Sequence, residues 1–268
     1  MGSVEVFLIC EVVVMTFALT IVKMEEAMKK NGCPVCRIEH DAAIQSVDSF
    51  LWENVTDPVT RKPINDAYGF CPSHTQLLVA KEMMTSGPVL GVNMIYELLA
   101  KNVSHDIKRI ERGRKPGRNI GSLLKKIGFG RNQHQNASGL EPKQQCPLCM
   151  LVDQSAKNTL STLFEELNTQ RGKIYETYQH SNGVCLKHLR IGLELYDQQF
   201  PAAGNFLIQE TIRRLDTQRA QMLEYIRKNN WAYRDEEITP DERAAWLRTV
   251  AFFTGLPPEK FTHKIDEY

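Results

Sequence analysis

Eight residues of this chain share one chemistry. Cys33 and Cys36 form a CPxC pair, and Cys71 and His74 form a CxxH pair. Cys146 and Cys149 make a second CPxC pair, and Cys185 and His188 a second CxxH pair. A CPxC turn lets two thiolates reach one ion from a single turn, and Pro34 and Pro147 stiffen that turn. In CxxH at a helix start, Cys and His lie on one face, three residues apart. Three sulfurs and one nitrogen are a usual closed tetrahedral set for zinc. Chain order groups Cys33, Cys36, Cys71 and His74 as one site and Cys146, Cys149, Cys185 and His188 as another. Each site would then tie together the ends of its own segment, and exchange of ligands between the two segments is the open alternative. Two zinc ions are the expected cofactors. An iron or iron–sulfur centre is the lesser alternative, because all-Cys ligation is more usual there. A structural metal of this kind contributes on the order of 10 kcal/mol to folding.

The spacing recurs. Cys33 to Cys146 and Cys36 to Cys149 are offsets of 113, and Cys71 to Cys185 and His74 to His188 are offsets of 114. Pro88 with Pro201, Gly91 with Gly204 and Glu97 with Glu210 return to 113. Apolar pairs follow the same register: Phe50 with Phe164, Ile95 with Ile208, Leu99 with Ile212. A shared register across eight ligands and a downstream segment reads as an internal repeat.

That register sorts ligands from bystanders. His40 lies four after Cys36 and shares its helical face, but Asp153 stands at the corresponding place, so His40 is read as a surface or outer residue. His105, His134, His180 and His263 also lack a counterpart. Cys10, the seventh cysteine, has no partner and reads as a buried apolar thiol. The odd count argues against a disulfide framework, and the clustering points to metal or thiol chemistry in a reducing compartment. No phosphate-cradling glycine loop, HExxH or nucleophile elbow is present. Glu165-Glu166 and Glu236-Glu237 read as solvated helix faces. The balance leans away from an enzyme.

Helices must position these ligands. Ile38, Ala42, Ile44, Val47, Phe50 and Leu51 fall near a 3.6-residue period, as do Leu151, Val152, Leu160, Leu163, Phe164 and Leu167. Asp57-Pro58 marks a turn, and Gly69-Phe70-Cys71-Pro72 and Gly183-Val184-Cys185 each end one helix and begin another. Long amphipathic helices are expected at about Val89–Glu111 and Ala203–Lys228. Thr239-Pro240-Asp241-Glu242 is a capping box that opens a helix ending near Gly255. Trp231, Tyr233 and Trp246 have no counterpart in the first half and are expected to pack this tail against the rest. Strand alternation is nearly absent. The expected fold is all-α: two tandem helical modules, each tied by a Cys3His site, plus a C-terminal helix.

The expected divisions are 1–14 as an apolar or spurious extension, 15–111 as the first module, 112–145 as a linker, 146–230 as the second module and 231–268 as a capping tail. The chain of 268 residues has a net charge of +1, so any pull toward nucleic acid or membrane is local. One such place is the linker, where Arg112, Arg114, Lys115, Arg118, Lys125, Lys126 and Arg131 cluster, with Ile120–Phe129 as a short helix. Another is Val4–Val22, near a span in length but interrupted by Glu5 and Glu11. A membrane anchor there is the minority reading, and Met15 offers a later start.

The segments CPVCRIEHDA, FLWENVTDP, GFCPSH, CPLC, GVCLKHL and YRDEEITPDERAAWLRTVAFFTG resemble an uncharacterised prokaryotic family of unknown function with twin cysteine-rich modules. The resemblance spans about Phe17 to Gly255. It implies a cytoplasmic bacterial or archaeal protein and carries over no catalytic residues. The favoured function is a metal-stabilised helical scaffold that binds a protein partner. The alternatives are a thiol redox sensor or oxidoreductase using the CPxC pairs, and a nucleic-acid regulator using Arg112–Arg131, which the scarcity of stacking aromatics disfavours.

Overall fold

The computed structural model describes residues 19–85, 87–114 and 140–255. Most of Val4–Val22, Cys10, His134, His263 and most of the 112–145 linker lie outside those residues. Among the described residues all regular structure is helical, as the periodicity requires, and no helix is long and apolar enough to cross a membrane.

Ten α-helices follow in order among the described residues. Helix α1 covers 19–28. Next come α2 (Pro34–Ser49), running into a π-helical turn at Phe50–Asn54, then α3 (Pro58–Asp66), α4 (Pro72–Met84) and α5 (Leu90–Arg114). They are followed by α6 (Pro147–Asn168), α7 (Lys173–His180), α8 (Leu186–Tyr196), α9 (Pro201–Lys228) and α10 (Pro240–Thr254), with a 3₁₀ turn at Trp231–Tyr233 before α10. Starts are fixed locally. The Asp57 carboxylate accepts hydrogen bonds from the N–H groups of Val59 and Thr60, ahead of Pro58 at the first helical position. Thr239 and Glu242 form the expected capping box, and Gly255 ends α10 in the left-handed conformation.

The chain forms two compact units, divided differently from the sequence expectation. One contains residues through Ala42 together with those from Val152 onward, and the other is Ala43–Leu151. The chain passes from one unit to the other inside α2 and returns inside α6. The expected modules 15–111 and 146–230 therefore each contribute to both units. The cause is helix length. The first turns of α2 bury Val35 and Ile38 in one core, and Val47 near its end and Phe50 in the π-helical turn enter the other. Helix α6 does the reverse, with Leu148 in one core and Leu160, Leu163, Phe164 and Leu167 in the other.

In the first unit, α1, α2, α6, α7, α8 and α9 enclose Met24, Leu160, Phe164, Tyr178 and Leu207, all 0% exposed. Helix α10 packs on α9, where Thr249 donates to Gln218 Oε1 and Arg248 to Gln221 Oε1, and it buries Ala245, Leu247 and Ala251. Trp231, Tyr233 and Trp246 do not pack the tail as expected: they are 76%, 43% and 46% exposed. Small residues allow the close approach of α10, and Trp246, next to Ala245, falls on the outer face. Arg234 and Arg227 instead stack over Trp231 and Tyr233. In the second unit, Val47, Phe50, Ile64, Leu78, Ile95 and Leu99 form the core. The register pairing also shifts. Ile95 and Leu99 are buried, but on α9 the buried residues are Leu207 and Thr211, not Ile208 and Ile212.

Candidate metal centres

The eight predicted residues converge as two clusters, but not in chain order. Cys33, Cys36, Cys185 and His188 come together in one unit, and Cys71, His74, Cys146 and Cys149 in the other. In each cluster the ligand atoms all lie within 4.8 Å of one another. The grouping expected from chain order is thus corrected: each CPxC pair meets the CxxH pair more distant from it along the chain. The reason lies in the helices just described. Each CPxC opens a helix whose first turn stays with one unit while the rest leaves for the other.

In the first cluster His188 Nδ1 lies 3.4 Å from Cys33 Sγ, 3.4 Å from Cys36 Sγ and 3.3 Å from Cys185 Sγ. The Cys36 and Cys185 sulfurs are 3.7 Å apart. In the second, His74 Nδ1 lies 3.2 Å from Cys71 Sγ, 3.5 Å from Cys146 Sγ and 3.4 Å from Cys149 Sγ, and the Cys71 and Cys149 sulfurs are 3.6 Å apart. Ordinary zinc–sulfur and zinc–nitrogen bonds at tetrahedral angles put S···N edges at about 3.5 Å and S···S edges at about 3.8 Å. Both donor sets fit a single tetrahedral ion.

Local structure delivers each ligand. Cys185 caps α8 after Gly183, whose φ is +74°. The Val184 N–H donates to Tyr178 Oη, and Arg214 donates to the Tyr178 carbonyl while stacking on its ring. A Cβ at Gly183 would meet the Arg214 guanidinium at 2.2 Å, and its left-handed backbone favours glycine there. The Gly32 N–H, ahead of Cys33, donates to Asn182 Oδ1 at 2.8 Å, linking the two ligand loops. In the second unit Cys71 caps α4 with Pro72 at its first position. The segment before Cys146 is held by the Lys143 N–H on the Asp66 carbonyl and by the Gln144 amide on the Pro63 carbonyl.

The two clusters differ in their surroundings. Cys33, Cys185 and His188 are 4%, 1% and 0% exposed, whereas Cys71, His74, Cys146 and Cys149 are half-buried. Glu39 Oε1 sits 3.2 Å from His188 Nε2 and 3.0 Å from Lys187 Nζ. Nε2 makes no well-aligned hydrogen bond, so the contact is electrostatic in character. Burial opposes the Glu39 charge, but His188 and Lys187 hold its carboxyl below the usual range. Burial likewise opposes charge on His188, and its contacts with Cys185, Cys33 and Glu39 overcome it and raise the imidazole to about 11. Contacts from Cys33 and Cys36 hold the Cys185 thiol far below its usual value, against burial. Contact with Cys185 and Cys33 pushes Cys36 up. In the second cluster burial opposes the Cys71 thiolate, yet the backbone N–H of His74, the sulfurs of Cys149 and Cys146 and the backbone N–H of Ser73 lower it. Burial, with Cys71 and Cys146, pushes Cys149 up to about 12. Burial alone lowers His74, which favours the neutral ring that a metal needs.

The bystanders separate as the register indicated. His40, His105 and His180 are exposed. Two contributors escaped sequence reasoning. Glu39 lies three residues after Cys36, a spacing that was available but overshadowed by His40. Gly255 is the other: a Cβ there would meet Cys36 Sγ at 2.8 Å and Cys185 Sγ at 3.5 Å. The end of α10 therefore covers the first cluster, and nothing local in the sequence says so.

Fold and site together define an all-α protein with two Cys3His clusters. The chain belongs to a family of unknown function (DUF6062), whose profile matches residues 15–260. It is similar to an uncharacterized 23.9 kDa protein in xynA 3'region of Caldicellulosiruptor sp. (strain Rt8B.4), at 24% identity over 238 residues, covering 87% of this chain and 99% of that protein. No solved structure matches it.

Proposed function

We propose that each cluster holds one zinc ion as a closed structural site, and that the protein is a metal-stabilised helical scaffold acting through its surface on a protein partner in the cytoplasm. The carrying observation is the tetrahedral fit of four protein donors in both clusters. Four protein ligands fill the coordination sphere and leave no position for a water to be activated. The compact donor set favours one ion over a polynuclear cluster, whose core would spread its ligands further apart. Glu39 behind His188 supports the reading, since metal-bound imidazoles commonly carry a carboxylate on the far nitrogen.

Metal analysis with an absorption spectrum of the purified chain tests this. About two zinc ions per chain and a colourless protein are expected, with loss of helical signal on chelation. Coloured protein containing iron would overturn the assignment to zinc, and metal-free protein that stays folded would overturn the structural role.

A further inference from the structure

We propose that the second cluster is a peroxide-responsive zinc site, which surrenders its ion as Cys71 and Cys149 close into a disulfide while the first cluster keeps its own. This rests on the reading that both clusters hold zinc. Three observations separate the two. All three cysteines of the second cluster are half-buried, whereas in the first only Cys36 is, and Cys33 and Cys185 are 4% and 1% exposed. The first cluster is covered by the Gly255 backbone, where an added Cβ would press on Cys36 Sγ at 2.8 Å and touch Cys185 Sγ at 3.5 Å. The first cluster's imidazole has Glu39 behind it, three residues after Cys36, and the residue three after Cys149 is Val152, which offers no carboxylate. Outer partners of this kind stabilise bound metal.

The chemistry is a two-electron oxidation with hydrogen peroxide as oxidant. Cys71 Sγ attacks one peroxide oxygen, the O–O bond breaks, a sulfenic acid forms and hydroxide leaves. Cys149 Sγ, 3.6 Å away, then attacks the Cys71 sulfur as its thiolate; the S–S bond forms, the S–O bond breaks and a second hydroxide leaves. Two thiolates have lost two electrons and the peroxide has gained them, with solvent protonating both hydroxides. Zinc is left with Cys146 and His74 alone and dissociates.

The test uses the full chain, reduced, loaded with zinc and freed of excess metal. Hydrogen peroxide is added, release is followed with a colorimetric zinc indicator, and samples at half release are digested for disulfide mapping. About one ion per chain should leave about ten-fold or more faster than the other. A Cys71–Cys149 linkage should form while Cys33, Cys36 and Cys185 remain reducible-free and alkylatable once zinc is stripped. Simultaneous release, earlier oxidation at Cys33, Cys36 or Cys185, or release without that linkage would overturn the proposal. The zinc content before peroxide reads the metal assignment separately. Two ions that leave together defeat only this inference, and a chain that holds none defeats both.

Discussion

Gly255 must be glycine for two independent reasons, and both bear on the first cluster. Its φ of +71° lies in the left-handed region, and a Cβ would press on Cys36 Sγ. Gly255→Ala should therefore destabilise the chain by about 1–2 kcal/mol from backbone conformation alone. It should also weaken zinc at the first cluster, because the ligand sulfur must shift to make room. Denaturant unfolding reads the first effect and chelator competition the second; an unchanged affinity would mean that α10 does not seat against the sulfurs. Glu39 acts from the other side. Glu39→Gln keeps the shape and removes the charge beside His188 Nε2 and Lys187 Nζ. Zinc at the first cluster should bind about ten-fold more weakly, with the second cluster as internal control. Equal affinity would restrict Glu39 to pairing with Lys187.

Among the elements, α10 shows how far local rules reach. Its capping box, its proline start and its glycine stop were legible, because each is set by groups within four residues. Its packing face was not legible. Large aromatics suggest burial, but a helix lying close on α9 buries Ala245 and Ala251 and leaves Trp246 outside. The same limit applies on α9, where one residue of drift, about a quarter turn, brings Leu207 and Thr211 inward and leaves Ile208 and Ile212 outside. Thr239→Ala removes the acceptor for the Glu242 N–H and should cost about 1 kcal/mol, read from unfolding midpoints. Glu242 adds a pH dependence. Lys228 and then the Thr239 N–H hold its carboxyl below the ordinary value of 4.5, with burial opposing. A group depressed on folding contributes stability that is fully present above its unfolded pKa and is lost as pH falls through its folded pKa. The stability advantage of the native chain over Glu242→Gln should be constant near neutrality and shrink below 4.5. An advantage that persists in acid would mean the ion pair contributes nothing.

Across the whole molecule, the eight cluster residues were legible in the sequence and their grouping was not. Residue type and spacing identify Cys33, Cys36, Cys71, His74, Cys146, Cys149, Cys185 and His188, since coordination chemistry restricts both. Which four share an ion depends on where long helices carry their ends, and no local pattern encodes that. Chain order is a poor guide for an energetic reason. Joining Cys33 to His188 closes a separation of 155 residues, against 41 to His74. The added closure entropy is only about 1 kcal/mol, small beside the roughly 10 kcal/mol a bound zinc contributes. Cross-pairing is therefore affordable in free-energy terms wherever the cores favour it, and here Leu160, Leu163 and Phe164 on α6 join the same core as Cys33 and Val35. Paired substitutions decide the matter. Cys36→Ser with Cys185→Ser strikes one cluster twice and should leave about one zinc per chain, while Cys36→Ser with Cys71→Ser strikes both clusters and should leave none. Pairing in chain order predicts the opposite for each double variant: none for the first and about one for the second. Zinc counted in the three single and two double variants, with helical content checked for each, separates the two arrangements without any assumption about activity. Where Cys36→Ser with Cys71→Ser retains an ion, the exchange of ligands between the two sequence copies is wrong.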